Sequence, residues 1–373
     1  MGEPARAEAS RVTLARPRSG RVHHAGAESR NVGFGLVARG RLCALAMCLL
    51  LVATAGSLFT ARSAGAGMRA NDVSVPIVTK QASDGSWLVT VNVSVAGGPS
   101  VPVQLDTGST GLVIDSNALG KGAHPTGEPF TSGYISGPVN GQIETGTVSI
   151  GGLRSASGTA FSVVSSNSAA GKVWASGPIR GVLGIAMTND AAPPLVYSPL
   201  LQLPGPYWQG VTVNVAKGED AKGSLIIGPV RTAKRGVALP MYPATPSTYP
   251  DGRPAFQKDT MMCWQIGHFA SSCGLTDMDL GDPSPGVNTN FQGLHNGQDF
   301  NPGQDVEITS PSGTPVWSFT TGSNVSVPNV LRVEPLSTGY TEFNTSIGFF
   351  FAHSLAYNVT GKQFLISRNP LNH

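Results

Sequence analysis

The chain is poor in charge and in cysteine. Only 13% of its 373 residues are Asp, Glu, Lys or Arg, and aromatic residues make up 7%. Past residue 66 there is no run of basic residues, which excludes the electrostatic footprint of a nucleic-acid-binding domain. Past residue 60 there is no second apolar stretch of bilayer length. No tandem repeat of 20 to 50 residues recurs, so a solenoid or propeller array is excluded. Neither Gly97-Gly98 nor Gly151-Gly152 opens a helix, so neither has a phosphate-loop context. Of four cysteines, Cys43 and Cys48 lie in an N-terminal apolar stretch, leaving Cys263 and Cys273 ten residues apart. The spacing of a four-ligand zinc site is missing, which makes a metal site the weaker reading. In an oxidising compartment this even pair is expected to close one disulfide, contributing on the order of 2–3 kcal/mol.

What is abundant is turn chemistry: 47 glycines and 28 prolines, with 40% hydrophobic residues. That mixture fits many strands joined by many turns. Residues 1–41 carry eight Arg and read as a basic tail, and residues 42–60 (LCALAMCLLLVATAGSLFT) are uncharged and mostly apolar. Ala64-Gly65-Ala66 then supplies a small-residue exit. The expectation is a signal peptide over 42–66 and a secreted, periplasmic or extracellular location. The alternative is an uncleaved segment that tethers the chain to a membrane through residues 42–60. The length of the basic flank raises the further expectation of a true start near Val37. Residues 1–66 hold nine Arg and three acids, so the remainder, with 16 basic and 19 acidic side chains, is net −3.

Strand patterns follow. Trp87 to Val95 alternates apolar and polar residues, and Gly97-Gly98-Pro99 turns it back into Val101 to Leu105. Thr145 to Ile150 and Gly210 to Val215 alternate too, and Leu225 to Ile227 is a short buried run. Val306 to Ile308, Val316 to Phe319 and Val330 to Val333 continue the pattern. Ser198 to Leu203 and Phe349 to Ala356 are the two short-helix candidates, the first with Ser198 as N-cap and Pro199 at the first position. Residues 240–260 and 281–304, rich in Pro, Gly and Asn, read as exposed loops. His124 and His353 are isolated and read as structural, as do the five tryptophans.

One stretch breaks the pattern. Val103 to Asp115 (VQLDTGSTGLVID) runs apolar, ends on a carboxylate, turns through Asp106-Thr107-Gly108-Ser109 and becomes apolar again. Alone, Asp-Thr-Gly is ordinary hairpin chemistry. Other segments give it context. Tyr134 to Gly152 reads as a hairpin with Gly137 and Gly141. Gly181 to Ala186 (GVLGIA), Gly223 to Gly228 (GSLIIG) and Ser346-Ile347-Gly348 ahead of a closing strand follow in order. Together, from about residue 72 to 370, these segments resemble the pepsin-like aspartic proteases. The resemblance implies an all-β, bilobal pepsin-like acid protease fold with a central cleft and a flap hairpin. The lobes would span residues 72–232 and 233–373. Asp106 would be the first catalytic aspartate, with Thr107, Gly108 and Ser109 in its loop. Tyr134 and Gly137 would belong to the substrate-covering flap. Val113 stands where the family has a tryptophan that steadies the flap tyrosine.

The resemblance requires a second aspartate facing the first. The best positional match is Asp279, 173 residues after Asp106, in CGLTDMDLGDPSPG. Gly281 then lines the same site, and the Cys263/Cys273 pair precedes it, as a disulfide often does in the family. This motif departs from the pattern in three ways. Leu280 replaces a hydroxyl residue, Asp282 adds a third carboxylate, and Asp277 interrupts the apolar lead-in. A rival match, Phe319-Thr320-Thr321-Gly322-Ser323, has Thr320 in place of the acid, and would imply an inactive chain. Secreted endopeptidase activity by an Asp106–Asp279 dyad is the expectation. It would need no cofactor or metal, and would act on an extended polypeptide as a monomer. The alternative is an impaired member that binds polypeptide without turnover.

Overall fold

The computed structural model describes residues 72–372 except 83, 135–136, 169–170, 173, 175–176, 178, 189–195, 231–235, 290, 292–293, 325–326, 335 and 337–340. All of them belong to one compact unit, Ala61–His373. The basic tail (1–41) and the apolar segment (42–66) lie outside the described residues. No described helix is long and apolar enough to cross a membrane.

Strands β1 (Val73–Gln81) and β2 (Trp87–Val95) alternate as their sequences require, burying Val75, Ile77, Val91 and Val93 on one face. β3 (Val101–Asp106) pairs antiparallel with β2, and β4 (Thr110–Asp115) leaves the Asp106 turn. A long hairpin follows, β5 (His124–Tyr134) and β6 (Gly137–Gly146), with Tyr134 opposite Gly137. Next come β7 (Val148–Ile150), β8 (Leu153–Arg154), β9 (Thr159–Val164) and β10 (Gly181–Ile185). β11 (Gly210–Asn214), β12 (Lys222–Ile227) and β13 (Val237–Pro240) complete the first run. β14 (Pro243–Thr248) and β15 (Pro254–Phe256) form a separate two-stranded ribbon. β16 (Asp259–Ile266), β17 (Ser272–Asp277), β18 (Gly286–Asn288), β19 (Asp305–Thr309), β20 (Pro315–Thr320), β21 (Arg332–Glu334) and β22 (Phe343–Asn344) build a second sheet. Helix α1 (Ser346–Ala352) and strands β23 (His353–Asn358) and β24 (Gln363–Arg368) end the chain.

Among the described residues the larger sheet runs β13-β24-β23-β11-β12-β1-β2-β3-β10-β4-β9-β6-β5, and the smaller runs β20-β19-β16-β17-β22-β18-β21. β13, β23 and β24, all downstream of residue 232, hydrogen-bond into the larger sheet. One motif occurs twice. β10 lies between β3 and β4, parallel to the first and antiparallel to the second. β22 lies between β17 and β18 with the same two polarities. Each three-strand unit presents one aspartate loop.

Three local expectations change. The Ser198–Leu203 helix is a single 3-10 turn, Pro199–Gln202, and Ser198 makes no side-chain cap. The Phe349–Ala356 helix is shifted. α1 stops at Ala352, and His353–Asn358 instead pairs on both sides, with β11 and β24. Two full hydrogen-bond ladders outweigh local helix preference there. The segments read as exposed loops hold β14, β15, β18 and the start of β16. They bury Tyr249, Phe256, Val287 and Phe300, because Tyr249 stacks on Tyr197 at 4.1 Å and Phe300 packs edge-on against Phe269 at 5.7 Å.

The Cys263–Cys273 disulfide is present and joins directly opposed residues of β16 and β17. It staples the strand that delivers Asp279.

Candidate active site

β3 carries Asp106 to the end of a buried strand, and β17 carries the chain through Met278 to Asp279. The carboxyls of Asp106 and Asp279 share a hydrogen bond. Each accepts the backbone N–H two residues on. Gly108 donates to Asp106 Oδ1 at 2.7 Å and Gly281 to Asp279 Oδ1 at 2.7 Å. The glycines are needed for approach. A Cβ on Gly108 would collide with the Asp279 carboxyl, and one on Gly281 with the Asp106 carboxyl.

The loops are stitched together from one side. Thr107 Oγ1 donates to the Met278 carbonyl at 2.6 Å and accepts the Leu280 N–H at 2.7 Å. Leu280, fully buried, cannot return the contact. Gln104 Nε2 adds a bond to the Gly281 carbonyl at 3.2 Å. The Tyr357 phenol, buried on β23, hydrogen-bonds Thr107. Burial and the charges of Asp277, Asp106 and Asp279 hold it well above its ordinary value.

Each carboxyl has one further donor, of different kinds. Ser109 Oγ donates to Asp106 Oδ2. Asn344 Nδ2 donates to Asp279 Oδ2 at 3.2 Å and to Asp282 Oδ2 at 3.0 Å. Burial, then the charge of Asp279, pushes Asp106 up to about 7, against the downward pull of the Ser109 hydroxyl and the Gly108 N–H. Asp282 is also driven well above the carboxylate range, by burial first and then by Asp279 and Glu334.

Behind the second loop, Asp277 forms a buried ion pair with Lys258. Burial disfavours the ammonium, but the carboxylates of Asp277, Asp259 and Asp279 more than offset it, so Lys258 is held above its usual value. This explains the charged lead-in that the sequence left unexplained. Asp277 is the partner of a cation that arrives from the head of β16, nineteen residues away.

The segment read as a flap contributes to the β5–β6 hairpin, with Tyr134 and Gly137 at its described ends; the placement of the Tyr134 side chain lies outside the described residues. Its base is steadied differently from the family pattern. Val113 packs with Phe130, Val139, Ile143 and Trp174 in a buried cluster. Trp174 is thus an indole beside the flap base, contributed by a later segment. The Thr320 segment takes no part in the site. It ends the outer strand β20, with β19 and β16 between it and β17, and the Thr320 hydroxyl donates to Asp305 at 3.0 Å. Sequence reasoning missed Asn344, Lys258 and Tyr357. Only the Asp277 anomaly signalled a buried partner.

Comparison with known proteins agrees with this architecture. The crystal structure of the aspartic proteinase from Irpex lacteus matches with a TM-score of 0.55 at 17% identity, covering 81% of this chain and 98% of that one. At that identity the likeness is one of fold. Among curated proteins, none matches this sequence. A family model, the PE-PGRS C-terminal aspartyl peptidase-like domain, matches residues 73–351. The repeated three-strand unit, its two facing aspartates and that match lead to one conclusion: the chain belongs to the PE-PGRS C-terminal aspartyl peptidase-like family.

Proposed function

We propose that the chain is a secreted aspartic endopeptidase in which Asp106 and Asp279 activate water against a peptide bond. The observation that carries this reading is the hydrogen-bonded carboxyl pair, each member held by a glycine N–H and a side-chain donor. Two carboxyls at hydrogen-bond distance hold one proton between them, because two adjacent negative charges in a buried site are too costly. Asp106, raised to about 7, retains that proton and polarises the scissile carbonyl. The ionised partner takes a proton from the attacking water as general base. Water is the nucleophile, so the step needs no covalent intermediate, cofactor or metal. The substrate is an extended polypeptide lying under the β5–β6 hairpin, held partly by strand-like main-chain bonds. A monomer suffices, since one chain supplies both aspartates.

The test is cleavage of an unfolded protein by the purified chain from acidic to neutral pH, beside Asp106→Asn and Asp279→Asn. We expect each variant to lose roughly a thousandfold or more in rate. The alkaline limb of the parent's profile should fall near pH 7, where Asp106 gives up its proton. Cleavage that survives both substitutions would refute the dyad. A second reading, polypeptide binding without turnover, is favoured by the buried Leu280 and Asp282. Peptide binding that persists in both variants, with no cleavage by the parent at any pH, would establish it instead.

A further inference from the structure

Ser109 and Asp282 occupy the same step of the two loops. Each lies three residues after its aspartate, and each main-chain carbonyl accepts an N–H from just beyond the central strand of its unit. The donors are Ala186 for Ser109 and Ile347 for Asp282, both at 3.0 Å. Asn344 on β22 lies opposite Asp277 and Gly286, and the residue at that register in the first unit is Val182 on β10, opposite Gln104 and Val113. In the first unit the aspartate's side-chain donor is the hydroxyl of Ser109, and Val182 is apolar and buried. In the second unit residue 282 is a carboxyl and cannot serve as that donor when ionised. The missing donor comes from Asn344. Its Nδ2 serves both Asp279 Oδ2 and Asp282 Oδ2, while its Oδ1 accepts the Ser346 N–H at 2.8 Å. Asp282 Oδ1 is satisfied by the Ser284 N–H at 3.1 Å.

We propose that Asn344 is the positioning residue of the second aspartate, and that Asn344 and Asp282 together stand in for the hydroxyl of Ser109 and the aliphatic Val182 of the first unit. This rests on the peptidase reading above. The two residues depend on each other. With leucine at 344, Asp282 would keep a buried oxygen without its amide donor and Asp279 would lose its amide contact. With serine at 282, a hydroxyl would again stand beside Asp279, and the amide would no longer be required. Asp282 is faced by Asp279 on its own loop, by Asp277 on β17 and by Glu334 on β21, with Arg332 of β21 within its field.

The experiment uses the full chain and the variants Asn344→Leu, Asp282→Ser and the double substitution, measuring steady-state cleavage of an unfolded protein and thermal melts between pH 4 and 8. Asn344→Leu should lower kcat about 10- to 100-fold, the scale of one lost hydrogen bond to a charged group, with little change in KM. The double variant should recover roughly tenfold over Asn344→Leu and return to the parent's pH profile. In the melts, Asn344→Leu should lose stability, and the double variant should recover part of that loss. The inference is overturned if Asn344→Leu keeps kcat within about threefold of the parent, or if the double variant is no better than the single. If the parent does not cleave at all, coupling in the melts would show the pair to be structural only. The positioning role would then fall together with the peptidase reading.

Discussion

The Asp106 loop and the Asp279 loop solve one problem with different residues. Both must hold a carboxyl at the end of a buried strand, within hydrogen-bond reach of the other. The first does so with its own local chemistry: a hydroxyl three residues on and a threonine that reaches across to Met278 and Leu280. The second has leucine where that threonine would be. Its donor is Asn344, 65 residues away, and its charge is balanced by Lys258. A loop that has lost its local hydrogen-bonding residues can keep its geometry if the sheet brings donors from elsewhere. The consequence is that the second loop is more dependent on distant contacts, and its substitutions should be felt more in stability than those of the first.

That contrast can be broken most forcefully at Lys258. Lys258→Met leaves Asp277 buried without its cation, and we expect a loss of about 3–5 kcal/mol in urea unfolding, with Lys258→Met/Asp277→Leu recovering most of it. A single variant as stable as the parent would show that the second loop does not lean on this pair. Next in size is a pH effect of the first loop. Asp106 in the folded chain titrates near 7, above its ordinary value of 3.8. Between those two values the native state therefore holds a proton that the unfolded state has lost, so stability falls as pH rises through the window. Asp106→Asn should remove that slope and stabilise the protein at pH 8 by up to a few kcal/mol. Equal slopes for parent and variant would contradict it.

Thr107→Val tests the one-sided stitch. It strips the partner from the Met278 carbonyl and the Leu280 N–H, and should cost about 1–3 kcal/mol. An unchanged denaturation midpoint would mean that water replaces the hydroxyl without loss. The finest probe is Ser109→Ala. Its hydroxyl favours the ionised form of Asp106, so its removal should move the alkaline limb of cleavage to higher pH. A limb that stays in place or moves down would break the assignment of the shared proton to Asp106.

Much of the first loop was legible because its chemistry is contiguous. Val103 to Ser109 contains the strand, the acid, the glycine and the hydroxyl, and each has a recognisable role within a few residues. The Gly181–Ile185 strand and the returning strand β6 were legible through their resemblance to family segments, whereas the incoming strand β5, which starts at His124, was not read. The second loop was read as a motif with faults. Asp277 and Asp282 looked like intrusions because their partners, Lys258 and Asn344, are not adjacent in sequence. Nothing in the neighbourhood of residue 344 marks an asparagine that faces two carboxyls, since the parallel pairing of β17 with β22 is what brings it there.

The order of residues determined the strands, the turns and the two acids at strand ends, because period-two burial and turn preference act over a few residues. Tertiary structure alone decided that the acids meet, that a lysine lies behind one of them and that an amide replaces a missing hydroxyl. Those outcomes depend on which strands pair across the sheets. A buried charge is tolerated only where the completed fold supplies its partner.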